Sequence, residues 1–311
     1  MKSMYLFAAI FMIIFAACND DDKQASTNPL DYPAEVHGTI QNRSDNNSRT
    51  AGISWVSGDR IGVTTAAGIS ALSYVVTDDR NVPYIYNSEK DVFEVVNAEG
   101  EDNNIYFKGP YTMKMTAYYP YTGHKGTLAG VIEASTTSEK QIPEKQSAID
   151  FLYAEGGGSQ KNPKVDFQFS HRMCQLVLVF KVGEGVELND IDYTLKGLKL
   201  DGTFNTADGE VLISQDAEAG NITMHTKKAA EMRSPLILFP QTLASASVLE
   251  VAMGGKTYAA TPETDTKMES GHTYILNVTL TPQVMTIGPA VIEDWTIGEG
   301  NEHYGVAGEA K

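Results

Sequence analysis

Apolar and polar residues alternate with a period of two over several stretches of the chain. This period is typical of β-strands that bury one face and expose the other. The pattern predicts strands whose buried faces carry Val165, Phe167 and Phe169; Cys174, Leu176, Leu178, Phe180 and Val182; and Tyr274, Leu276, Val278 and Leu280. An apolar run between Pro235 and Pro240 predicts a further buried strand with fixed ends.

Helical signals are few, since only residues 144–154 and 226–232 favour a turn or two of helix. Turn signals separate the short predicted strands, as at Asp201-Gly202 and Gly254-Gly255. Many short strands at close intervals favour an all-β fold of two β-sandwich domains. The glycine-rich stretch that begins at Gly156 is the predicted boundary, which gives an N-terminal domain of residues 35–160 and a C-terminal domain of residues 161–311.

The N-terminus has a different pattern, with Lys2 followed by an uncharged run from Met4 to Ala17. The run is shorter than the roughly 20 apolar residues that a membrane-spanning helix needs, and it fits a signal peptide of residues 1–17. It ends in Ala16-Ala17-Cys18, which resembles the lipobox of bacterial lipoproteins. We therefore expect cleavage before Cys18 and an acyl lipid such as palmitate on its thiol. The alternative is an ordinary signal peptide followed by an incidental cysteine.

The residues after Cys18 bear on where the protein is held. Asn19 to Asp22 is an acidic stretch that resembles the surface-export signal of lipoproteins in Bacteroidetes-type bacteria. Residues 18–34 are polar and contain Pro29 and Pro33, so they predict a flexible tether. The expected location is the outside of the cell outer membrane, with the chain anchored through lipid on Cys18.

The charge and the cysteine content argue against a nucleic-acid-binding protein and against a fold held by disulfides. The formal net charge of −16 argues against nucleic acid as a partner, because phosphate binding needs clustered Lys and Arg. The chain has two cysteines. With Cys18 lipidated, Cys174 has no partner for a disulfide, and its apolar neighbours predict a buried structural thiol.

No catalytic motif emerges from the sequence, and we expect no enzyme activity, cofactor or metal site. The six histidines lack zinc-ligand spacing and are predicted to be scattered over the surface. Asp78-Asp79 and Asp102-Asn103-Asn104 could each hold calcium, but neither has the spacing of a known calcium loop. Five tyrosines lie close together in the sequence and could form a sugar-stacking platform, although packing in the core or at its edge is the favoured interpretation: Tyr106, Tyr111, Tyr118, Tyr119 and Tyr121.

Several segments together resemble one family. Residues 55–63, Trp-Val-Ser-Gly-Asp-Arg-Ile-Gly-Val, resemble its W-x-x-G-D-x-I-G-V segment. Further matches, in the same order along the chain, are residues 117–121, 150–154, 165–180, 271–274 and 292–295. On these segments the chain is identified as a member of the Bacteroidales fimbrillin family, which comprises type V pilins and Mfa-like surface lipoproteins.

The resemblance implies two β-sandwich domains of transthyretin-like topology and assembly into a surface pilus that serves adhesion. It also implies that a protease cuts after Arg49, or alternatively Arg43, and removes the lipidated N-terminal segment. The strand predicted at Glu35–Ile40, with Val36, Gly38 and Ile40 on one face, would then leave the N-terminal domain. A strand from another pilin subunit would fill the vacated groove by donor-strand exchange, and the mature subunit would begin at Thr50.

The sequence leaves the role within a pilus open. Apolar residues alternate poorly in Gly298–Lys311, so the chain could be a tip or accessory subunit that accepts a strand without donating one. If neither arginine is cut, Cys18 is a permanent anchor. The alternative function is then a non-polymerising surface lipoprotein that binds a glycan or host ligand.

Overall fold

The computed structural model describes residues 31–41, 55–65, 79–107, 111–187, 189–229 and 232–295. Within these ranges the regular structure is almost entirely β-strand. A single 3₁₀ turn at Ser138–Lys140 precedes the short helix α1 at Pro143–Gln146. None of the helices in these ranges is long and apolar enough to cross a membrane.

The first ten strands lie mostly in the N-terminal unit: β1 (Tyr32–Pro33), β2 (Glu35–Ile40), β3 (Arg60–Thr65), β4 (Val82–Asn87), β5 (Val92–Val95), β6 (Tyr106–Phe107), β7 (Met113–Tyr119), β8 (Val131–Ser135), β9 (Leu152–Gly158) and β10 (Lys164–His171). Seven of them form a closed barrel in the order β10-β2-β5-β4-β3-β7-β9, while β1 pairs with β6 outside it. Alternate residues point inward, so that Val165, Phe167 and Phe169 of β10 are fully buried in the barrel core.

The remaining strands are β11 (Cys174–Val182), β12 (Ile191–Lys199), β13 (Asp201–Asn205), β14 (Val211–Ile213), β15 (Ala219–Thr226), β16 (Met232–Leu238), β17 (Thr242–Leu243), β18 (Leu249–Met253), β19 (Lys256–Ala260), β20 (Thr266–Lys267), β21 (His272–Leu280), β22 (Met285–Ile287) and β23 (Val291–Asp294). One sheet runs β16-β11-β21-β22, with β23 also paired to β21, and the other runs β15-β12-β18-β19. Their facing side chains form one apolar core, as in a β-sandwich.

A third cluster of buried side chains joins the two units. β8 lies early in the chain but pairs with β13, which also pairs with β14. Behind this small sheet, Phe151 and Phe204 stack with ring centroids 4.6 Å apart. The cluster also includes Met173, Phe239 and Trp295, so both units contribute to it.

The all-β prediction with little helix is confirmed, as are the predicted strands around residues 165–182, 235–238 and 274–280. The transthyretin-like topology stays a prediction. The helix predicted at 144–154 exists only as α1, because Leu152 already begins β9. The helix predicted at 226–232 was wrong, since Thr226 ends β15 and Met232 begins β16.

The domain boundary predicted at residues 160–161 stays a prediction, and the strand pairing supports a later position. β10 pairs with β2 and β9 in the barrel, whereas β11 pairs with β16 and β21 in the sandwich. We therefore propose that the boundary is the turn at Arg172-Met173, where the chain leaves one sheet and enters the other.

Candidate functional site

The strand β2 pairs much more extensively with one of its two neighbours in the barrel than with the other. On one side it runs parallel to β10, with six aligned pairs from Glu35 opposite Lys164 to Ile40 opposite Phe169. On the other side it meets β5 at a single pair, Val36 opposite Phe93. β2 is therefore held firmly along β10 and lightly along β5.

Two side chains fix β2 in the core. Val36 is 1% exposed and Ile40 is 8% exposed, whereas Glu35 and Thr39 face solvent. At the ends, the Glu35 N–H donates to the Pro163 carbonyl (3.0 Å) and the Gln41 N–H donates to the Phe169 carbonyl (2.6 Å). The predicted strand at Glu35–Ile40 and its predicted inward face are confirmed.

Gly38 lies where aromatic rings come closest to β2. A Cβ at this position would stand 3.0 Å from both the Phe93 and the Phe169 rings and 3.4 Å from Trp55 Nε1. The Trp55 indole N–H donates to the Gly38 carbonyl at 2.8 Å. Three aromatic residues thus lie around the backbone of Gly38. They leave little space for a side chain at this position, which favours glycine.

Trp55 is the centre of an aromatic cluster that forms one wall around β2. Its ring meets Phe93 at 5.0 Å, Phe169 at 5.1 Å and Tyr119 at 5.5 Å, each in an edge-to-face arrangement. Aromatic pairs in this geometry add about 0.5–1.5 kcal/mol beyond the burial of their area. These contacts therefore stabilise the wall around Gly38.

A cavity of about 540 Å³ lies between β2 and β5, on the side where the two strands pair at one position. Its lining is partly apolar and partly polar. It includes Ala34, Val36, Tyr84, Val92, Phe93 and Val95 together with Glu94 and Asn97. The surroundings of β2 are therefore closely packed at Gly38 and open to a cavity beside Ala34.

The segment that carried the family resemblance builds this wall. Asp59 accepts a hydrogen bond from the Val56 N–H at 2.8 Å and another from the Tyr119 hydroxyl at 3.2 Å, and so holds the turn next to Trp55. Burial raises the pKa of the Asp59 carboxyl, and these two hydrogen bonds act in the opposite direction. Gly62 packs on Tyr118, where a Cβ would overlap the ring.

The predicted lipid-attachment residue Cys18 and the predicted cleavage sites Arg43 and Arg49 lie outside the described residues. Their place along the chain is nevertheless informative. In the sequence, both arginines come after Ile40, the last residue of β2, and before Trp55 of the aromatic wall. The structure brings together Gly38 and Trp55, which lie on opposite sides of the arginines in the sequence.

The tyrosines do not form a shared platform. Tyr118 is 3% exposed, and its hydroxyl donates to the Asn81 side chain at 2.8 Å. The Tyr119 hydroxyl donates a hydrogen bond to Asp59, and the Tyr106 hydroxyl donates one to Asp102 at 2.6 Å. The side chain of Tyr111 is exposed. The favoured interpretation, packing in the core or at its edge with a polar partner for the hydroxyl, is confirmed for Tyr118 and Tyr119.

The prediction of surface histidines was wrong for His171. This residue is 3% exposed, and its Nδ1 lies 2.7 Å from Asp150 Oδ1. The alternation of Val165, Phe167 and Phe169 would have found it, since it continues inward to residue 171. Among the residues that the structure describes, no cluster of three or more side chains suited to a metal is present.

Cys174 is buried and free, as predicted, and its thiol lies 3.4 Å from the Leu238 carbonyl. Burial raises the pKa of this thiol. Nucleophilic chemistry needs the thiolate, so the position favours a structural role.

Comparison with known proteins finds similarity to proteins of Bacteroides that are named as fimbrial or cell adhesion proteins. A family model described as Fimbrillin-like matches residues 43–295. A protein of Bacteroides uniformis named as a fimbrium subunit, Fim1C, is 24% identical over 321 residues, which cover 99% of this chain and 100% of the relative.

Two solved structures extend the comparison. One from Bacteroides ovatus, named as a cell adhesion protein, is 38% identical with a TM-score of 0.78, and the match covers 86% of this chain and 99% of the other. One from Bacteroides uniformis, also named as a cell adhesion protein, is 20% identical with a TM-score of 0.61, over 85% of this chain and 98% of the other. At that identity the second shows a shared fold.

Proposed function

The chain belongs to the fimbrillin-like family, a family of fimbrial and cell adhesion proteins rather than of enzymes, and we propose that it is a pilus subunit assembled by strand exchange. In this proposal the precursor is exported, lipidated on Cys18 and held on the outer face of the outer membrane. Cleavage after Arg49, or alternatively Arg43, then frees it from that anchor. The subunit joins others of its kind in a stalk, or serves as a tip or accessory subunit, and the assembly serves adhesion.

One observation carries the proposal, namely the order along the chain of β2 and of the residues that surround it. We call the position that β2 fills between β10 and β5, next to the aromatic wall, its seat. β2 lies before both arginines, whereas the wall residues Trp55, Phe93 and Phe169 lie after them. A cut at either arginine therefore separates the occupant from a seat that stays whole. Without β2, the edges of β10 and β5 present unpaired backbone groups above an apolar slot, and an added strand satisfies both.

Cleavage alone does not expel β2. Burying Val36 and Ile40 stabilises the strand by about 1.5–3 kcal/mol for each side chain, and each ladder hydrogen bond adds about 0.5–1.5 kcal/mol. The cut segment therefore stays seated until another strand displaces it. The β5 side, with one aligned pair and an adjoining cavity, is where displacement starts.

The test uses the full-length precursor and a protease that cuts after arginine. We expect ladders of high mass on a gel and mature subunits that begin at Thr50. Lysine keeps the charge and is not cut, so an Arg43→Lys/Arg49→Lys variant should remain a monomer. Surface material that still begins at Cys18 would contradict the proposal.

A reversible lock tests whether β2 is the strand that leaves. Thr39 and Gln168 are exposed neighbours in the β2–β10 register. A Thr39→Cys/Gln168→Cys variant, once oxidised, should be cut normally but form no ladders until a reductant is added. Thr39→Cys alone is the control and should assemble as the native chain does. Assembly of the locked variant would mean that a different strand is exchanged.

A further inference from the structure

We propose that the side chains of Gln141 and Gln146 determine which sheet edge of this chain can accept a strand. They close the outer edge of β16 in the sandwich and so confine strand addition to the barrel. The part of this inference that concerns the barrel rests on the proposed function. The closure of β16 is a property of the uncut chain and is tested there.

The long sheet edges belong to the sandwich. The seven barrel strands close on themselves, which leaves no edge among them while β2 is in its seat. In the sandwich, the end strands β16 and β15 have seven and eight residues. The other end strands in the described part of the chain have five residues or fewer. A long edge presents a row of N–H and C=O groups that can pair with another chain. β15 and β16 are therefore the edges at which unwanted pairing is most favourable.

Gln141 binds the outer edge of β16 as a neighbouring strand would. The Ile237 N–H donates to Gln141 Oε1 at 2.9 Å, and Gln141 Nε2 donates to the Ile237 carbonyl at 2.9 Å. Two residues of an antiparallel pair exchange both of their N–H···O bonds in the same way. The Gln141 amide thus occupies the two backbone groups that a partner strand would use at this position.

Gln146 covers the next outward position of the same edge. Outward positions lie two residues apart along a strand, so Pro235 is the neighbour of Ile237. Gln146 Nε2 donates to the Pro235 carbonyl at 2.8 Å, and proline has no N–H to offer. At these two positions of β16, each outward backbone group is therefore either bonded to a glutamine or missing.

Further hydrogen bonds hold the two glutamines in place. Gln141 Nε2 also donates to the Thr136 carbonyl at 2.8 Å, and Gln141 Oε1 accepts a long bond from Gln146 Nε2 at 3.5 Å. These bonds fill the hydrogen-bonding capacity of the Gln141 amide. Gln141 is 2% exposed and Gln146 is 4% exposed, so moving either one would leave buried polar groups unpaired. The cover is therefore part of the packed interior.

The same connection also reaches the other long edge. The Thr223 N–H of β15 donates to Ser138 Oγ at 2.8 Å. Ser138, Gln141 and Gln146 all lie between β8 and β9, ahead of the sandwich in the sequence. One short connection thus bonds to the end strands of both sandwich sheets, as expected of a segment that covers edges.

The test uses the uncut full-length precursor. Gln141→Met keeps a side chain of similar size but removes the amide, so the connection loses its bonds to Ile237 and the edge can pair with a second copy. The dissociation constant of the dimer, measured by analytical ultracentrifugation, should fall by about tenfold or more relative to the native chain. If Gln141→Met does not fold, as judged by circular dichroism, Gln146→Met carries the same test.

Gln175→Met is the matched control. Gln175 is also 2% exposed, and its Oε1 accepts the Thr273 hydroxyl at 3.1 Å. It lies in β11, which is paired on both sides by β16 and β21. Its loss should therefore lower stability without promoting association. Equal association of Gln175→Met and Gln141→Met would overturn the inference, because the loss of any buried amide would then be sufficient.

Hydrogen exchange identifies the surface that associates. In Gln141→Met the Ile237 amide should exchange faster than in the native chain at low protein concentration, and it should become protected again as dimers form. A Gln141→Met variant that folds and stays monomeric would contradict the inference, as would protection that appears only outside β16. The proposed function has a separate readout in the ladders of the cleaved native chain. Their absence would refute strand exchange at the barrel and leave the closure of β16 standing.

Discussion

His171 and Trp295 stack face to face, with ring centroids 4.2 Å apart and ring planes that differ by 3°. His171 ends β10 of the barrel, and Trp295 directly follows β23 of the sandwich. At its ring edge, the Nδ1 atom of the histidine lies 2.7 Å from Oδ1 of the buried Asp150. The pair therefore ties the last described residue of the second unit to the last strand of the first.

Removing the indole should weaken the whole chain. Trp295 is 1% exposed within the shared cluster, and Trp295→Ala should lower the free energy of unfolding by about 3–5 kcal/mol, the usual range for emptying a buried aromatic site. Urea unfolding measures this. Ile292→Ala, three residues earlier on an exposed face, should change stability by less than about 0.5 kcal/mol. Similar losses in both variants would contradict the assigned role of the stack.

The two faces of β2 should respond differently to truncation. Ile40→Ala removes a buried side chain and should cost about 2 kcal/mol or more. Thr39 is the neighbouring residue and its side chain is exposed, so Thr39→Ala should leave the free energy of unfolding nearly unchanged. Hydrogen exchange of the β2 amides in the uncut precursor measures how often the strand opens, and it should quicken in Ile40→Ala alone. Equal protection in both variants would mean that Ile40 does not hold the strand.

Asp59 should make the stability fall as the pH rises. Burial raises the pKa of its carboxyl in the folded chain above the ordinary value of 3.8. Between that value and the raised pKa, the folded state binds more protons than the unfolded state, so the free energy of unfolding decreases as the pH increases. Asp59→Asn lacks this dependence. Urea unfolding of both proteins at pH 4 and pH 7 measures this. The free energy of unfolding of the native chain, relative to that of the variant, should be lower at pH 7 than at pH 4. The same difference at both pH values would refute this.

Cys174 should resist alkylation until the chain unfolds. Its thiol is buried and its pKa is raised by burial, so both access and thiolate are lacking. Iodoacetamide followed by peptide mass spectrometry should find residue 174 unmodified in the native protein and modified in concentrated urea. Rapid modification without denaturant would show that β11 opens locally.

The sequence predicted what depends on local alternation and missed what depends on distant pairing. The inward faces of β10, β11 and β21 follow from period two, and so does the strand Glu35–Ile40. The parallel pairing of β2 with β10 joins residues that are more than 120 positions apart, and no local pattern specifies it. The same pairing closes the barrel and supports the proposed domain boundary after β10.

The site shows the same division. The resemblance singled out Trp55, and the alternation of residues 35–40 gave the inward position of Gly38, but neither shows that the two residues meet. Their contact requires the barrel to bring β2 against the segment that follows the arginines. Likewise, His171 continues an alternation that was already visible, whereas its partners Asp150 and Trp295 come from other parts of the fold.

The covalent connection between Gln41 and Trp55 has a consequence for when assembly can begin. While residues 42–54 are intact, β2 competes for its seat as part of the same molecule, and a short link gives an effective concentration on the order of millimolar. In the proposed exchange, a strand from another molecule has no such advantage. In the proposed exchange, cutting one peptide bond changes the competition for the β2 position from unimolecular to bimolecular, and we expect the chain to stay monomeric until that bond is cut.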